Sequence, residues 1–313
     1  MKLKILVSAP YMQPVIDRFR PFFDEHNIEL VIPPVNERLS ENELLKWIID
    51  IDGVIAGDDR FTEQVLEAAP RLKVISKWGT GIDSFNLDAC KRLGIEVRNT
   101  PNAFSEPVAD SVMGYILCFA RQIPWMDRNM KQGGWEKIPG RALRECTLGI
   151  IGVGNVGKAV VRRAVAFGMR VIGNDLLEMP AEFINQSGIQ MVGKDDLLRK
   201  ADFVSLNCDL NPTSFHLISK KEFSIMKPSA YIINLARGPI IDESELIHAL
   251  KTKKIAGAAL DVFETEPLPQ ESPLRNMDNV FLAPHNSNSS PETWERVHES
   301  TVRNLVDALE KKT

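Results

Sequence analysis

Cysteine is scarce in this chain. The four residues Cys90, Cys118, Cys146 and Cys208 are widely scattered, with no C-x-x-C pair and no Cys/His cluster. That pattern predicts neither a metal site nor disulfides, and fits reduced thiols packed inside a cytoplasmic protein. Long apolar runs are also missing, so no segment approaches the ~20 residues that cross a bilayer. The opening MKLKILVSAP carries too brief an apolar run for a signal-peptide core and reads as a first strand. An excess of positive charge is lacking as well. A formal charge of −4 offers no general attraction to nucleic acid or an anionic membrane, so any positive site must be local. There is no low-complexity tract and no repeat of fixed period.

The composition that is present, 44% hydrophobic and 26% charged over 313 residues, belongs to a soluble globular protein of about two domains. The first hundred residues alternate strand-like and helix-like segments. Strands are expected at 5–9, 28–32, 53–56 and 72–76, and helices at 15–25 (interrupted by Pro21), 41–50 and 62–68. This alternation implies a parallel sheet covered by helices. After the strand at 72–76 comes Lys77-Trp78-Gly79-Thr80-Gly81-Ile82-Asp83. Gly79, Thr80 and Gly81 could present backbone N–H groups to an anion, with Lys77 adding charge, or could form a plain turn. Two apolar helices are expected at 105–120 and 123–133, as core elements or as a hinge or subunit interface. Strands at 203–206, 230–234, 255–260 and 280–282, with helical segments between them, then build a second, larger doubly wound domain. A final amphipathic helix at 291–310 is expected to return to the first domain. The expected division is 1–99 with 286–313, and 100–285.

Thr147 to Lys158 reads TLGIIGVGNVGK. The apolar run 148–153 suits one buried strand. It breaks at Gly152, Gly154 and Gly157, spaced G-x-G-x-x-G, and residues 159–167 follow at helical spacing. A second apolar run, 169–173, leads to Asp175, close to the ~20-residue spacing at which such units place an acid. Gly152 permits the tight turn, Gly154 lets the backbone approach a pyrophosphate, and Gly157 lets helix and strand pack closely. Asn155 and Val156 lie in the same turn, where unpaired N–H groups and the helix dipole favour phosphate. Asp175 can accept from ribose hydroxyls and repels a 2′-phosphate, which favours NAD over NADP.

Three further features follow strands of the second domain: Asn234-Leu235-Ala236-Arg237-Gly238, Asp261-Val262-Phe263-Glu264-Thr265-Glu266-Pro267, and Pro284-His285. In open α/β sheets, ligands lie outside the carboxyl ends of strands. Arg237, Glu266 and His285 are therefore expected to meet in one cleft beside the nicotinamide. The arginine suits a carboxylate or an oxygen gaining charge, the histidine titrates near neutrality, and the glutamate orients it and stabilises imidazolium. Each alone has an ordinary structural reading. Together, in a chain with a dinucleotide turn, they suit interconversion of a 2-hydroxy acid and a 2-oxo acid.

With these motifs in place, the chain resembles the D-isomer-specific 2-hydroxyacid dehydrogenases. The resemblance rests on GVGNVG with Asp175, NLARGPIID, AALDVFETEP, APH, KWGTGID, NTPN and the segment 120–124, and spans nearly the whole chain. It implies a Rossmann NAD-binding domain and a smaller flavodoxin-like substrate domain, α/β throughout. It implies Arg237 as substrate ligand, His285 as acid–base group and Glu266 as its partner, with Ala236 and Asp261 on the cofactor and Asp261 holding the carboxamide. It implies the Gly79-Thr80-Gly81 turn as carboxylate site, and a homodimer formed through the cofactor domain. Within the family, KWGTGID, NTPN and AALDVFETEP are most like the phosphoglycerate-oxidising branch. Two departures bear on substrate: Gly57-Asp58-Asp59-Arg60 stands where that branch carries an arginine, and Asn286-Ser287-Asn288-Ser289 is unusually polar. With the chain ending at Thr313, no C-terminal regulatory domain is expected. A hydroxypyruvate or glyoxylate reductase and an NAD-sensing corepressor-like protein are the rival readings.

Overall fold

The computed structural model describes residues 2–311. Two compact units share the chain. One holds the residues up to Phe104 and again from Ser290; the other runs from Ser105 to Ser289. Both boundaries lie a few residues beyond those expected, and local bonding explains each shift. The Thr100 N–H donates to the Gly79 carbonyl at 2.9 Å, and the Phe104 ring sits 5.8 Å from that of Trp78. Residues 100–104 thereby complete the first unit. After His285, the N–H groups of Asn286 and Ser287 both donate to the Asp261 carboxylate, which keeps them in the second.

The first unit has five parallel strands, β1 (Leu3–Val7), β2 (Ile28–Val31), β3 (Gly53–Ala56), β4 (Val74–Lys77) and β5 (Glu96–Arg98), in the order β2-β1-β3-β4-β5. This is the flavodoxin-like order, which reverses direction between β1 and β3. β3 and β4 are buried along their whole length, as strands covered on both faces must be. On one face, Val297, Val302, Leu305, Val306 and Leu309 of the helix Pro291–Glu310 share a core with Ile5, Ile55 and Val74. On the other, Leu44, Val65, Leu66 and Ala89 share one with Leu6, Val54 and Ile75. The helices supplying that face start at side-chain caps, Ser40, Thr62 and Asn86, each satisfying an N–H that the first turn leaves open. The segment expected as one helix at 15–25 is a 3₁₀ helix, Gln13–Phe19, followed by an α-helix, Arg20–Glu25. Pro21 falls in the α-helix's first turn, where its missing N–H costs nothing.

His298 ties this final helix to the sheet. It is 4% exposed, and the Trp78 indole N–H donates to its Nδ1 at 2.9 Å. The ring is therefore neutral, with its proton on Nε2. Burial holds its pKa below the usual imidazole value. The unfolded chain, with an imidazole near 6.5, takes up the proton first. The stabilising contribution is thus intact above about pH 6.5 and is lost as the pH falls below it. The expected result is a fall in Tm between about pH 7 and 5.5 that becomes shallower in His298→Gln, which still accepts from Trp78 but does not titrate. Identical slopes in both proteins would remove His298 from the acid sensitivity.

The second unit has seven parallel strands: β6 (Thr147–Ile151), β7 (Arg170–Asn174), β8 (Gln190–Met191), β9 (Phe203–Leu206), β10 (Tyr231–Asn234), β11 (Gly257–Leu260) and β12 (Val280–Leu282). Their order is β12-β11-β10-β9-β6-β7-β8, the Rossmann arrangement with one strand added, reversing between β6 and β9. Its core gathers Leu198, Val204, Phe223, Ile232, Leu246, Ala258 and Leu260. Burial of each Leu, Ile or Phe side chain contributes about 1.5–3 kcal/mol. The apolar helix Ser105–Arg121 buries Val108, Val112, Met113, Ile116 and Phe119, with Phe119 stacked on Tyr231 at 4.3 Å. It is a core helix of this unit. Its neighbour, Ile123–Lys131, buries none of its residues. Among the described residues, no helix is long and apolar enough to cross a membrane.

Candidate active site

The glycine turn lies where the strand order reverses. Gly152 follows β6 with φ +87°, and a Cβ there would stand 2.6 Å from the Cys208 nitrogen. A Cβ on Gly157 would stand 2.1 Å from the Gly152 carbonyl oxygen, so the helix Asn155–Ala166 starts directly against the turn. Gly154, its N-cap, has open space where a Cβ would point and provides no side-chain cap. The first-turn N–H groups of Asn155, Val156 and Gly157 are thus left for an outside acceptor. At the end of β7, Asp175 accepts from the Val153 N–H at 2.6 Å and the Leu177 N–H at 2.8 Å. Its carboxylate is fixed beside the turn and keeps lone pairs for ribose hydroxyls. The open cradle, uncapped helix start and fixed acid fit the pyrophosphate and adenosine ribose of NAD. Asp175→Ala is expected to weaken NAD about tenfold while leaving NADP little changed, as for loss of charge-assisted bonds to a ribose. Fluorescence titration with both reduced cofactors checks this; equal losses would sink the discrimination.

The ends of β10, β11 and β12 bring the second set together. Glu266 Oε2 lies 3.2 Å from His285 Nδ1, with Oε1 accepting from the Phe263 N–H at 2.9 Å. Both side chains are about one-quarter exposed. His285 has φ +52°, an uncommon conformation for a residue with a Cβ. Its N–H donates to the Asp261 carbonyl at 2.8 Å, and the next two N–H groups bond the Asp261 carboxylate at 2.7 and 2.8 Å. Asp261 is fully buried, and its carboxylate anchors the segment after His285. Arg237 is half-buried and donates from Nη1 to the Ala236 carbonyl at 2.9 Å. The Ala236 N–H is taken by the Asn234 side chain, which also donates to the Arg237 carbonyl. Asn234 thereby shapes the turn that carries the arginine.

Sequence reasoning missed two residues that join these loops. A Cβ on Gly238 would lie 2.0 Å from the carbonyl carbon and oxygen of Phe263, so the Arg237 turn rests backbone to backbone on the Glu266 loop. His216, in the left-handed region at φ +49°, donates its N–H to the Pro239 carbonyl at 2.8 Å. Its Nε2 bonds Glu264 Oε1 at 2.7 Å. One residue thus holds both loops. Asp242, the N-cap of the helix Glu243–Lys251, stands 3.8 Å from His216 Nδ1. The signal in the sequence was Gly238 directly after Arg237; His216 offered none, being distant in the chain.

In the first unit, Gly79 follows β4 with φ +118°. The Thr80 hydroxyl donates to the Thr100 carbonyl at 2.9 Å, and Asn99 donates to the Thr80 carbonyl at 2.6 Å. These bonds fix the turn and take no N–H from Thr80 or Gly81. Lys77 is engaged locally: its ammonium donates to Asp58 at 3.0 Å and to the Trp78 carbonyl at 3.2 Å.

Comparison with known proteins matches residues 113–287 to the family model "D-isomer specific 2-hydroxyacid dehydrogenase, NAD binding domain". The chain is 42% identical over 294 residues to a D-3-phosphoglycerate dehydrogenase of Methanocaldococcus jannaschii, covering 93% of this chain but only 54% of that protein, so it spans about half that relative's length. It is 33% identical to a glyoxylate reductase of Korarchaeum cryptofilum, covering 98% of this chain and 92% of that one. Among solved structures it is similar to D-lactate dehydrogenase from Aquifex aeolicus complexed with NAD and lactic acid, with TM-score 0.88 and 27% identity over 99% of this chain and 96% of that one. The chain therefore belongs to the D-isomer specific 2-hydroxyacid dehydrogenase family of NAD-dependent oxidoreductases.

Proposed function

We propose that this protein interconverts a small D-2-hydroxy acid and its 2-oxo acid, with His285 as the acid–base group. The observation that carries this reading is the 3.2 Å contact between His285 Nδ1 and Glu266 Oε2. With Nδ1–H given to Glu266, Nε2 carries the lone pair that takes the hydroxyl proton in oxidation. In reduction, the imidazolium, stabilised by Glu266, returns it. The Arg237 guanidinium binds the substrate carboxylate or the oxygen gaining charge. The turn at Thr80 and Gly81 in the first unit is itself suited to a carboxylate. NAD supplies the hydride acceptor, and NADH the donor. Asp175 beside the turn sets the preference for NAD.

The substrate reading favours glyoxylate and hydroxypyruvate, because the glyoxylate reductase relative is covered almost end to end. D-3-phosphoglycerate is the second reading, favoured by 42% identity to the archaeal phosphoglycerate enzyme. We also infer a homodimer, supported by the exposed Ile123, Met130 and Trp135 on and after the helix that buries nothing. A cytoplasmic location is supported by the four free cysteines. The test is steady-state NADH oxidation with glyoxylate and hydroxypyruvate, beside NAD reduction with D-3-phosphoglycerate. Turnover on at least one acid is expected. Tight NADH binding without turnover on any of them would replace the enzyme reading with that of an NAD-sensing binding protein.

A further inference from the structure

The segment after β9 runs beside the residues that follow Arg237 as a short parallel pair. The His216 and Ile218 N–H groups donate to the Pro239 and Ile240 carbonyls at 2.8 and 3.1 Å, and the Asp242 N–H donates to the Ile218 carbonyl at 2.9 Å. These bonds fix the main chain of His216 and involve no atom of its ring. The ring has an attachment of its own. An ionised carboxylate only accepts, so the Nε2–H of His216 donates to Glu264 Oε1 at 2.7 Å. The same oxygen accepts from the N–H of Glu243 at 3.3 Å, and the Glu264 N–H donates to the Glu243 carboxylate at 3.3 Å. Phe215 lies nearly flat on the ring, with centroids 4.0 Å and planes 13° apart, which restricts its rotation. The His216 and Glu264 side chains are each about one-third exposed. Their bond therefore adds little to overall stability.

Glu264 stands inside the short span that sets Glu266. On one side of it, the Phe263 N–H donates to Glu266 Oε1 at 2.9 Å. On the other, two residues along, Glu266 Oε2 meets His285 Nδ1 at 3.2 Å. We propose that His216 is a positioning residue for the acid–base pair: its ring clasps Glu264 and so holds the loop in the place from which Glu266 orients His285. This rests on the functional reading above and deepens it. The two halves of His216 have separate tasks. Its backbone supports the turn carrying Arg237, which meets substrate charge. Its ring supports the loop carrying Glu266, which serves proton transfer. Changing the ring alone should therefore lower kcat and spare KM, because a small displacement of a reacting group costs turnover while binding common to ground and transition states is kept.

The test compares His216→Gln with His216→Asn. Glutamine carries an N–H donor out to the place of Nε2, whereas the shorter asparagine stops short of Glu264. The backbone pulls the other way: at φ +49°, asparagine is the better tolerated of the two. Turnover is measured with whichever acid the wild type reduces best and is counted per NADH-binding site, so unfolded molecules do not enter. His216→Asn should lose about tenfold in kcat, with KM for acid and NADH within about twofold. His216→Gln should stay within about threefold of wild type. In a Glu264→Ala background, His216→Asn should cost nothing further, since both changes break one bond. Unchanged kcat in His216→Asn, better turnover in Asn than in Gln, or a full additional loss in the Glu264→Ala background overturns the assignment. Wild type that binds NADH and reduces none of the acids removes the functional reading instead. Amide hydrogen exchange over residues 263–266 then decides whether the clasp exists: faster exchange in Asn but not in Gln upholds it, and equal exchange in all three proteins overturns it.

Discussion

Replacing His285 by alanine should lower kcat by about a hundredfold or more, the usual scale for a positioned acid–base group, with little change in NADH affinity. The contact of Nδ1 with Glu266 Oε2 fixes the chemistry of the side chain. That bond selects the tautomer with a basic Nε2. Alanine removes the proton carrier and leaves the glycine turn and Asp175 untouched. The backbone needs a control, because His285 has φ +52°. Asparagine tolerates that region better than alanine, so His285→Asn separates lost chemistry from a shifted loop. A comparable loss in both variants assigns the effect to the imidazole. Near-normal turnover in either takes His285 out of the mechanism.

Gly238→Ala should lower Tm by roughly 5–10 °C, as for a substitution that overpacks by a few kcal/mol, and should reduce activity with it. An added Cβ would meet the Phe263 carbonyl at 2.0 Å. Backbone cannot yield as a flexible side chain does, so one of the two loops must move. One carries Arg237. The other carries Glu266, whose Oε1 is held by the Phe263 N–H itself. A small displacement there changes the approach of Glu266 to His285, and misplacement of this kind is costly in turnover. Differential scanning calorimetry and steady-state kinetics on the same preparation give both readings. An unchanged Tm would show that the loops relax without strain.

How much of this was legible beforehand follows from how local each signal is. The dinucleotide turn was readable because strand, glycines, helix and acid lie in one short stretch, and each glycine answers to a close approach. Strands β3, β9 and β12 were read with their observed limits, since buried parallel strands are short, near-continuous apolar runs. β8 has only Gln190 and Met191, too few residues for any periodicity. β5, Glu96–Arg98, carries two charges and gives no apolar run. Arg237, Glu266 and His285 were singled out as candidates because each follows a strand at its carboxyl end. His216 and Gly238 were not, because their meaning lies in contacts between loops far apart in the chain. The sequence showed Lys77 as a cation and Asp58 as an acid; only the fold, by pairing β3 with β4, brings them into an ion pair.

The helix Pro291–Glu310 has a consequence for the order of events during synthesis. The sheet of the first unit is built from residues before 99, but one of its faces is closed by Val297, Val302, Leu305 and Leu309. The Ser76 hydroxyl on β4 also waits for the Thr301 carbonyl, 2.8 Å away. A ribosome making this chain N-terminus first emits the opening domain incomplete and finishes the inserted NAD-binding unit before it. The domain translated first is therefore the one that matures last, and until the final turns emerge it presents an apolar sheet face to whatever is nearby.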